Sequence, residues 1–103
     1  MDLKIEWSPE ALEDVESIAE YIGRNSPFYA KSTVTKIIDF TRSAAKFPQA
    51  GRVVPEFNDK KIRERLVYSY RLVYKIERTG ILIVAVIHGK QLFNSITERF
   101  TDK

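Results

Sequence analysis

The seven consecutive apolar residues from Ile81 to Ile87 constrain the fold of this chain more than any other stretch. They show no alternation of apolar and polar positions, so a strand formed by them is covered on both faces or lies centrally in a sheet. A membrane span needs roughly 18 apolar residues, and no run in the chain reaches that length. The sequence therefore predicts a sheet anchored by this strand and no contact with a membrane.

Three further segments have the features of strands. Leu3 to Trp7 alternates apolar and polar residues, which predicts a half-buried first strand. Ile62–Val67 and Tyr70–Glu77 precede the apolar run, with a tight turn near Tyr68-Ser69 and another at Arg78-Thr79-Gly80. Short turns join antiparallel neighbours, so these last three strands are predicted to form a meander.

The segment between the first strand and the meander predicts two helices. Ser8-Pro9-Glu10 supplies a capping hydroxyl and a proline for the first helical position, and Gly23 with Asn25 offers the end. Ser26-Pro27 repeats the start signal, and Pro48 ends the second helix. The predicted core positions are Ala11, Leu12, Val15, Ile18, Ala19, Ile22, Ala30, Val34, Ile37, Ile38, Thr41, Ala44, Ala45 and Phe47.

The fold class that follows is α+β, in the order β-α-α-β-β-β, with an N-terminal helical hairpin packed on a small, mainly antiparallel sheet. Residues 48 to 61 lack periodicity and are predicted to form a loop, and residues 92 to 100 fit a short helix or an edge strand. At 103 residues the chain has enough length for one core, so residues 1–103 are expected to form one domain.

The composition excludes several classes of function. The chain has no cysteine and one histidine, which leaves no ligand set for zinc or copper, and it has no glycine-rich phosphate loop, so no metal or cofactor is expected. The N-terminus lacks a secretory signal, which predicts a cytoplasmic protein. Residues 1 to 20 carry a net charge of −6 within an overall +3, so the remainder carries +9 and suits a nucleic acid or an acidic protein.

Basic side chains on strands are the candidate functional residues. Arg63 and Arg65 share one face of their strand, and Arg71 and Lys75 share one face of the next. An odd-numbered loop places all four on one face, whereas a two-residue loop separates the pairs. Alternatively, these are edge charges that discourage aggregation.

The single histidine rules out most nucleophilic triads, because such a triad needs three converging groups. His88 is either a general acid or base or a hydrogen-bonded residue at the end of a strand. Tyr68, Tyr70 and Tyr74 interleave with the arginines as in a surface that stacks bases, although core packing explains at least two of them.

The chain resembles the RelE/ParE toxin superfamily over nearly its whole length. The resemblance rests on the order of elements and on motif residues at Trp7-Ser8-Pro9-Glu10-Ala11, Pro48, Gly51-Arg52, Pro55-Glu56, Ile62-Arg63-Glu64, Tyr70-Arg71-Leu72-Val73-Tyr74 and His88-Gly89-Lys90. It implies the toxin of a type II toxin-antitoxin pair, neutralised by a cognate antitoxin. A homodimer or a toxin-antitoxin hetero-oligomer would be ordinary for that superfamily.

The superfamily contains two mechanisms, and the resemblance bears on both. RelE-like members cleave ribosome-bound messenger RNA, and for them Arg71 matches the phosphate-stabilising arginine, with Arg63, Arg65 and His88 as the other candidate catalytic residues. Gln91 and Thr97 stand where an arginine and a tyrosine are expected, and no tyrosine follows Tyr74.

The same series of motifs is closer to the ParE-like branch, whose members inhibit DNA gyrase and stop growth without cleaving nucleic acid. In that branch Arg63, Arg65, Arg71, Lys75 and Lys90 would contact the target, and Glu64 would pair with a neighbouring arginine to hold the strand face. An inactive member that only binds antitoxin is a third alternative, and whether the chain is an enzyme stays open.

Overall fold

The structure is a computed structural model that describes residues 3–88 and 97–100. The strands are β1 (Lys4–Trp7), β2 (Arg52–Val53), β3 (Ile62–Val67), β4 (Tyr70–Ile76) and β5 (Gly80–His88). The helices are α1 (Pro9–Gly23) and α2 (Pro27–Lys46), and 3₁₀ turns occupy Pro48–Ala50 and Glu98–Phe100. The predicted order β-α-α-β-β-β is confirmed, and the structure adds one short strand, β2, between α2 and the meander.

Both helices begin where their capping signals predict. The Ser8 hydroxyl accepts a hydrogen bond from the Ala11 N–H at 3.1 Å, and the Ser26 hydroxyl accepts one from the Tyr29 N–H at 3.2 Å. Each cap satisfies a backbone donor that the first helical turn leaves unpaired, and a proline follows it directly. Three predicted core positions are instead exposed, because they lie at the margin of the apolar stripe or after the helix end: Leu12, Ile38 and Phe47.

The five strands form one sheet in the order β1-β5-β4-β3-β2. β1 runs parallel to β5, and the other neighbours are antiparallel, which confirms the predicted mainly antiparallel α+β fold. The prediction of a structureless loop over residues 48 to 61 was wrong in part, because this stretch contains a 3₁₀ turn and β2. A strand of two residues is too short to show a period of its own.

The apolar run lies in β5, between β1 and β4, and is covered on both faces as predicted. α1 and α2 pack on one face, here called the helix face, which presents Leu72, Tyr74, Ile81, Ile83 and Val86. The opposite face, here called the second face, carries a smaller apolar cluster of Val54, Ile62, Val73, Ala85 and Ile87. The β4–β5 pairing skips Val84, which shifts the alternation of side chains along β5 by one residue. Ile83 before it and Val86 after it therefore both lie on the helix face.

Only part of the predicted tail lies within the described residues. Residues 92 to 96 lie outside them, and Glu98–Phe100 form a 3₁₀ turn. The Phe100 ring meets the Phe57 ring edge to face, with 4.6 Å between the centroids, and so extends the apolar cluster of the second face. Among the described residues no helix is both long and apolar enough to cross a membrane.

Candidate functional site

The turn between β3 and β4 decides where the candidate cations lie. Val67 pairs with Tyr70 across a two-residue turn, in which Tyr68 has a φ of +56°. A positive φ matches the twist of tight hairpins, although it is uncommon for a residue that carries a side chain. The alternative with two residues in the loop is therefore the one observed. The two pairs of cations lie on opposite faces of the sheet.

Arg63 and Arg65 lie on the helix face, where each guanidinium makes contacts within the chain. The Arg63 guanidinium donates to the backbone carbonyls of Lys60, Gln49 and Gly51 at 2.8, 3.1 and 3.0 Å. It thereby fixes both ends of the segment that precedes β3. The Arg65 guanidinium lies over the Phe40 ring of α2, 4.9 Å from the ring centroid, which is a cation–π contact.

Four charged residues meet on the second face in what is here called the ionic cluster: Arg52, Glu56, Glu64 and Arg71. The Glu64 carboxylate accepts from Arg52 Nε at 2.6 Å and from Arg71 Nε at 2.6 Å. Glu64 lies opposite Arg52 in the β2–β3 register and is diagonal to Arg71 across β3 and β4. The predicted pairing of Glu64 with a neighbouring arginine is present, with two arginines instead of one.

Arg71 also holds the turn that follows β2. Its two terminal nitrogens donate to the Glu56 carboxylate at 3.3 and 3.1 Å. The Pro55-Glu56 turn brings Glu56 there, because the N–H groups of Phe57 and Asn58 both donate to the Val54 carbonyl and Asn58 adopts a φ of +51°. The Arg71 side chain is 12% exposed and that of Glu64 is 2% exposed, whereas that of Arg52 is 69% exposed.

These contacts shift two pKa values in the ionic cluster. The hydrogen bond from Arg71 lowers the pKa of the Glu56 carboxyl below its ordinary value, against a smaller opposing effect of burial. Burial lowers the pKa of the Arg71 guanidinium, but its hydrogen bonds to Glu56 and Glu64 outweigh that effect and leave the pKa raised. Glu56 and Arg71 therefore stay charged around neutral pH.

Tyr74 ties the motif residues near Pro48 to the sheet. Its buried hydroxyl donates to the Pro48 carbonyl at 2.7 Å and accepts from the Gly51 N–H at 3.2 Å. A Cβ at Gly51 would lie 2.5 Å from that hydroxyl, so this close approach requires glycine. Burial raises the pKa of the Tyr74 phenol. Several motif residues behind the resemblance, among them Gly51, Glu64 and Arg71, thus belong to contacts that join residues 48–56 to β3 and β4.

The other candidates are dispersed. His88 is exposed at the end of β5, where its ring meets the Tyr70 ring edge to face at 5.7 Å. Lys75 lies on the second face opposite Ile62, and Trp7 is half-buried against the main core. Gly89, Lys90 and Gln91 lie outside the described residues. Of the three tyrosines, Tyr74 is buried, Tyr70 half-buried and Tyr68 exposed, which confirms core packing for two of them.

Sequence reasoning missed the pairing of Asp14 with Arg99. The Asp14 carboxylate accepts from the Val86 N–H at 2.9 Å and from Arg99 at 2.8 Å, and Arg99 also donates to the Val84 carbonyl at 3.0 Å. These side chains satisfy backbone groups of β5 beyond the end of β1. Asp14 is one of five acidic residues in α1, and nothing in the helical pattern distinguishes it from the other four.

The candidate catalytic residues lie on different faces of the sheet. Within residues 3–88 and 97–100 no three acidic, histidine or cysteine side chains group so as to hold a metal ion. The sheet separates Arg71 from Arg63, Arg65 and His88, because neighbouring strand residues point to opposite faces. The predicted catalytic residues are therefore not brought together around one point.

Three known proteins are similar to this chain along most of its length. The chain is 28% identical over 90 residues to Toxin RelE2 of Caulobacter vibrioides, which covers 86% of this chain and 98% of that protein. A structure titled as the chromosomal ParDE TA system from P. aeruginosa superposes with a TM-score of 0.69 at 16% identity, covering 84% of this chain and 95% of that one. The YoeB dimer from Staphylococcus aureus gives 0.60 at 23% identity, covering 85% and 98%.

At these identities the two solved structures show a shared fold. A family described as ParE toxin of type II toxin-antitoxin system, parDE, matches residues 5–93, which is most of the chain. The match includes most of β1, both helices, the ionic cluster and the whole meander. The chain is therefore a type II toxin of the ParE family, within the RelE/ParE superfamily.

Proposed function

We propose that this toxin arrests growth as a ParE-like inhibitor of DNA gyrase and does not itself cleave nucleic acid. One observation carries the proposal: Arg71 and His88 lie on opposite faces of the sheet. In the RNase alternative, Arg71 would stabilise the phosphate and His88 would be the acid or base. Tyr70 pairs with His88 and Arg71 with Ile87 in the β4–β5 register, so the two side chains diverge. In-line cleavage needs both groups within about 3 Å of the reacting atoms.

The hydrogen bonds that Arg71 already makes support the same proposal. Its guanidinium is already hydrogen-bonded to Glu56 and Glu64, so a phosphate would have to displace a carboxylate to reach it. Glu56 is the more exposed of the two carboxylates bonded to Arg71, but its lowered pKa makes it a weak base at neutral pH. Gln91 also lacks the charge that the RNase branch places there.

Toxin RelE2 favours the alternative, a RelE-like endonuclease that cuts ribosome-bound messenger RNA, because it is similar along nearly its whole length. Two assays on purified toxin separate the alternatives. Inhibition of gyrase is read as the loss of ATP-driven supercoiling of a relaxed plasmid. Cleavage is mapped at nucleotide resolution on a message held in the ribosome.

The proposal expects loss of supercoiling near stoichiometric toxin and an intact message. His88→Ala is the matched variant, because His88 is exposed and lies outside both apolar clusters. It should leave gyrase inhibition unchanged. Cuts in the ribosomal A site that drop about 10²-fold in His88→Ala, with gyrase unaffected, would establish the endonuclease. A folded protein inactive in both assays would identify a member that only binds antitoxin.

A further inference from the structure

A groove runs between α2 and the turn that joins β3 to β4. It consists of two adjoining cavities of about 390 and 430 Å³, and Ser32 and Tyr68 line both of them. The groove, here called the aromatic groove, is lined by four aromatic rings and two lysines: Phe28, Tyr29, Tyr68, Tyr70, Lys31 and Lys36. No residue of the ionic cluster lines it, so it is a separate part of the surface.

Three of these rings are open to solvent. The exposed fraction is 73% for Phe28, 64% for Tyr29 and 62% for Tyr68. The Phe28 and Tyr29 rings meet edge to face at the start of α2, with 5.5 Å between their centroids. Large apolar side chains that are exposed singly are normal, but several in one groove mark a binding surface.

The backbone of Tyr68 is a second, independent indication of binding. Tyr68 has a φ of +56° within a two-residue turn, where glycine or asparagine adopts this conformation at lower cost. Burial does not compensate for the strain, because the side chain is largely exposed. Residues with a strained backbone cluster at functional sites. The turn therefore holds an aromatic ring at the groove at the expense of stability.

The charge of α2 indicates what the groove binds. This helix has four basic residues and one acidic residue, a net charge of +3, whereas α1 has five acidic residues and no basic one. The acidic residue of α2, Asp39, lies 3.9 Å from Arg42. Among the described residues no carboxylate forms an ion pair with Lys31 or Lys36. Both lysines are exposed, so their charges are open to an anionic ligand.

We propose that the aromatic groove binds single-stranded nucleic acid. Unpaired bases would stack on Tyr68 and the rings beside it, and the phosphates that link them would meet Lys31 and Lys36. Such a site tolerates many sequences, because every base has a flat face to stack. The proposal concerns a surface apart from the ionic cluster, and it holds whether the toxin acts on gyrase or on messenger RNA.

The test uses the full chain and a fluorescein-labelled oligonucleotide of eight thymidines, whose anisotropy reports binding in low salt. DNA lacks the 2′-hydroxyl, so a ribonuclease activity would not destroy the probe. Binding should be saturable, and it should be about tenfold weaker for an abasic oligonucleotide of the same length. Equal affinity for the abasic chain would mean phosphate contacts alone and would overturn the proposal. So would tighter binding of a peptide of four Asp-Phe repeats, which would identify an acidic protein as the ligand.

Two pairs of variants locate the binding. Tyr68→Asn retains the fold, because asparagine suits the positive φ of the turn, and it should weaken oligonucleotide binding about tenfold. Its control is Tyr21→Asn, at an exposed tyrosine of α1 outside the groove, which should change binding less than twofold. Lys31→Glu should weaken binding about fivefold, and Lys4→Glu, the same charge change on β1, less than twofold. Equal losses within either pair would mean that the oligonucleotide binds elsewhere and would overturn the proposal.

Discussion

The two faces of the sheet are closed by different interactions. On the helix face, apolar side chains of β4 and β5 pack against α1 and α2, and for the aliphatic ones volume and shape decide the fit. On the second face, a smaller apolar cluster adjoins the ionic cluster, in which one buried carboxylate is held by two arginines. The first face tolerates apolar exchange of similar size, whereas the second depends on particular charged groups.

The ionic cluster shows why the second face depends on particular residues. Arg52, Glu56, Glu64 and Arg71 are tied by directional hydrogen bonds between charged groups. Glu64 and Arg71 are nearly buried, so removing either one takes a charged partner from a group that water does not reach freely. These four residues, which the resemblance also singles out, therefore support the fold.

The largest effect is expected on the helix face, in Leu72→Ala. Leu72 is fully buried, so truncation should lower the free energy of unfolding by about 4 kcal/mol through lost burial and a residual cavity. The matched control is Leu66→Ala in β3, the neighbouring strand, where the side chain is 66% exposed and the cost should stay below about 0.5 kcal/mol. Urea denaturation followed by circular dichroism measures both. Similar costs at the two leucines would contradict the assigned faces.

The next effect is expected on the second face, in Arg71→Ala. It leaves Glu64 with Arg52 alone, and removal of one partner from a buried ion pair costs about 3 kcal/mol. Lys75→Ala, on the same strand and face, should cost less than about 1 kcal/mol. The unfolding free energies are again the measurement. If the two costs are equal, the ionic cluster does not stabilise this face.

A double replacement sharpens that result. Arg71→Met with Glu64→Leu removes both charges and restores apolar volume, so at least half of the stability lost in Arg71→Ala should return. Glu64→Leu alone should be less stable than the double variant, because it takes from the nearly buried Arg71 the carboxylate that lies 2.6 Å from it. A double variant no more stable than Arg71→Ala would show that cluster geometry, and not charge compensation, dominates.

The helices and most strand boundaries could be predicted from the sequence because their signals are local. Ser8-Pro9 and Ser26-Pro27 each combine a capping hydroxyl with a proline, and the periodicity between them is long enough to identify both helices. The unbroken apolar run correctly predicted a strand covered on both faces. These features need no knowledge of distant contacts.

The site could be predicted only in part, because its geometry depends on register. Tyr68-Ser69 contains neither glycine nor asparagine, so nothing in it specifies the length of the turn that places Arg71 and Arg63 on opposite faces. The irregularity at Val84 is hidden in a run that is apolar at every position. Asp14 bonds this region across 72 residues of sequence, a separation that helical periodicity cannot reveal.

A smaller effect is expected in Tyr74→Phe, at the hydroxyl that bonds Pro48 and Gly51 to the sheet. The loss of the hydroxyl leaves the Gly51 N–H and the Pro48 carbonyl without this partner, at a cost of about 1 kcal/mol at neutral pH. Burial raises the pKa of Tyr74 above its ordinary 10.0, so its contribution is complete below pH 10 and is lost as the pH rises through the folded value. The wild-type advantage should therefore shrink in alkali. An advantage that grows there would refute the assignment.

The smallest effect is expected at the exposed end of the ionic cluster, in Glu56→Gln. The side chain is 41% exposed, so loss of its pair with Arg71 should cost no more than about 0.5 kcal/mol at pH 7. Since Arg71 lowers the pKa of Glu56, this contribution is present above pH 4.5 and disappears as the pH falls through the folded value. The unfolding free energy of Glu56→Gln should therefore converge on that of the wild type in acid. Glu77→Gln, exposed at the β4–β5 turn, is the control, and equal convergence there would mean that the pair of Glu56 with Arg71 does not stabilise the fold.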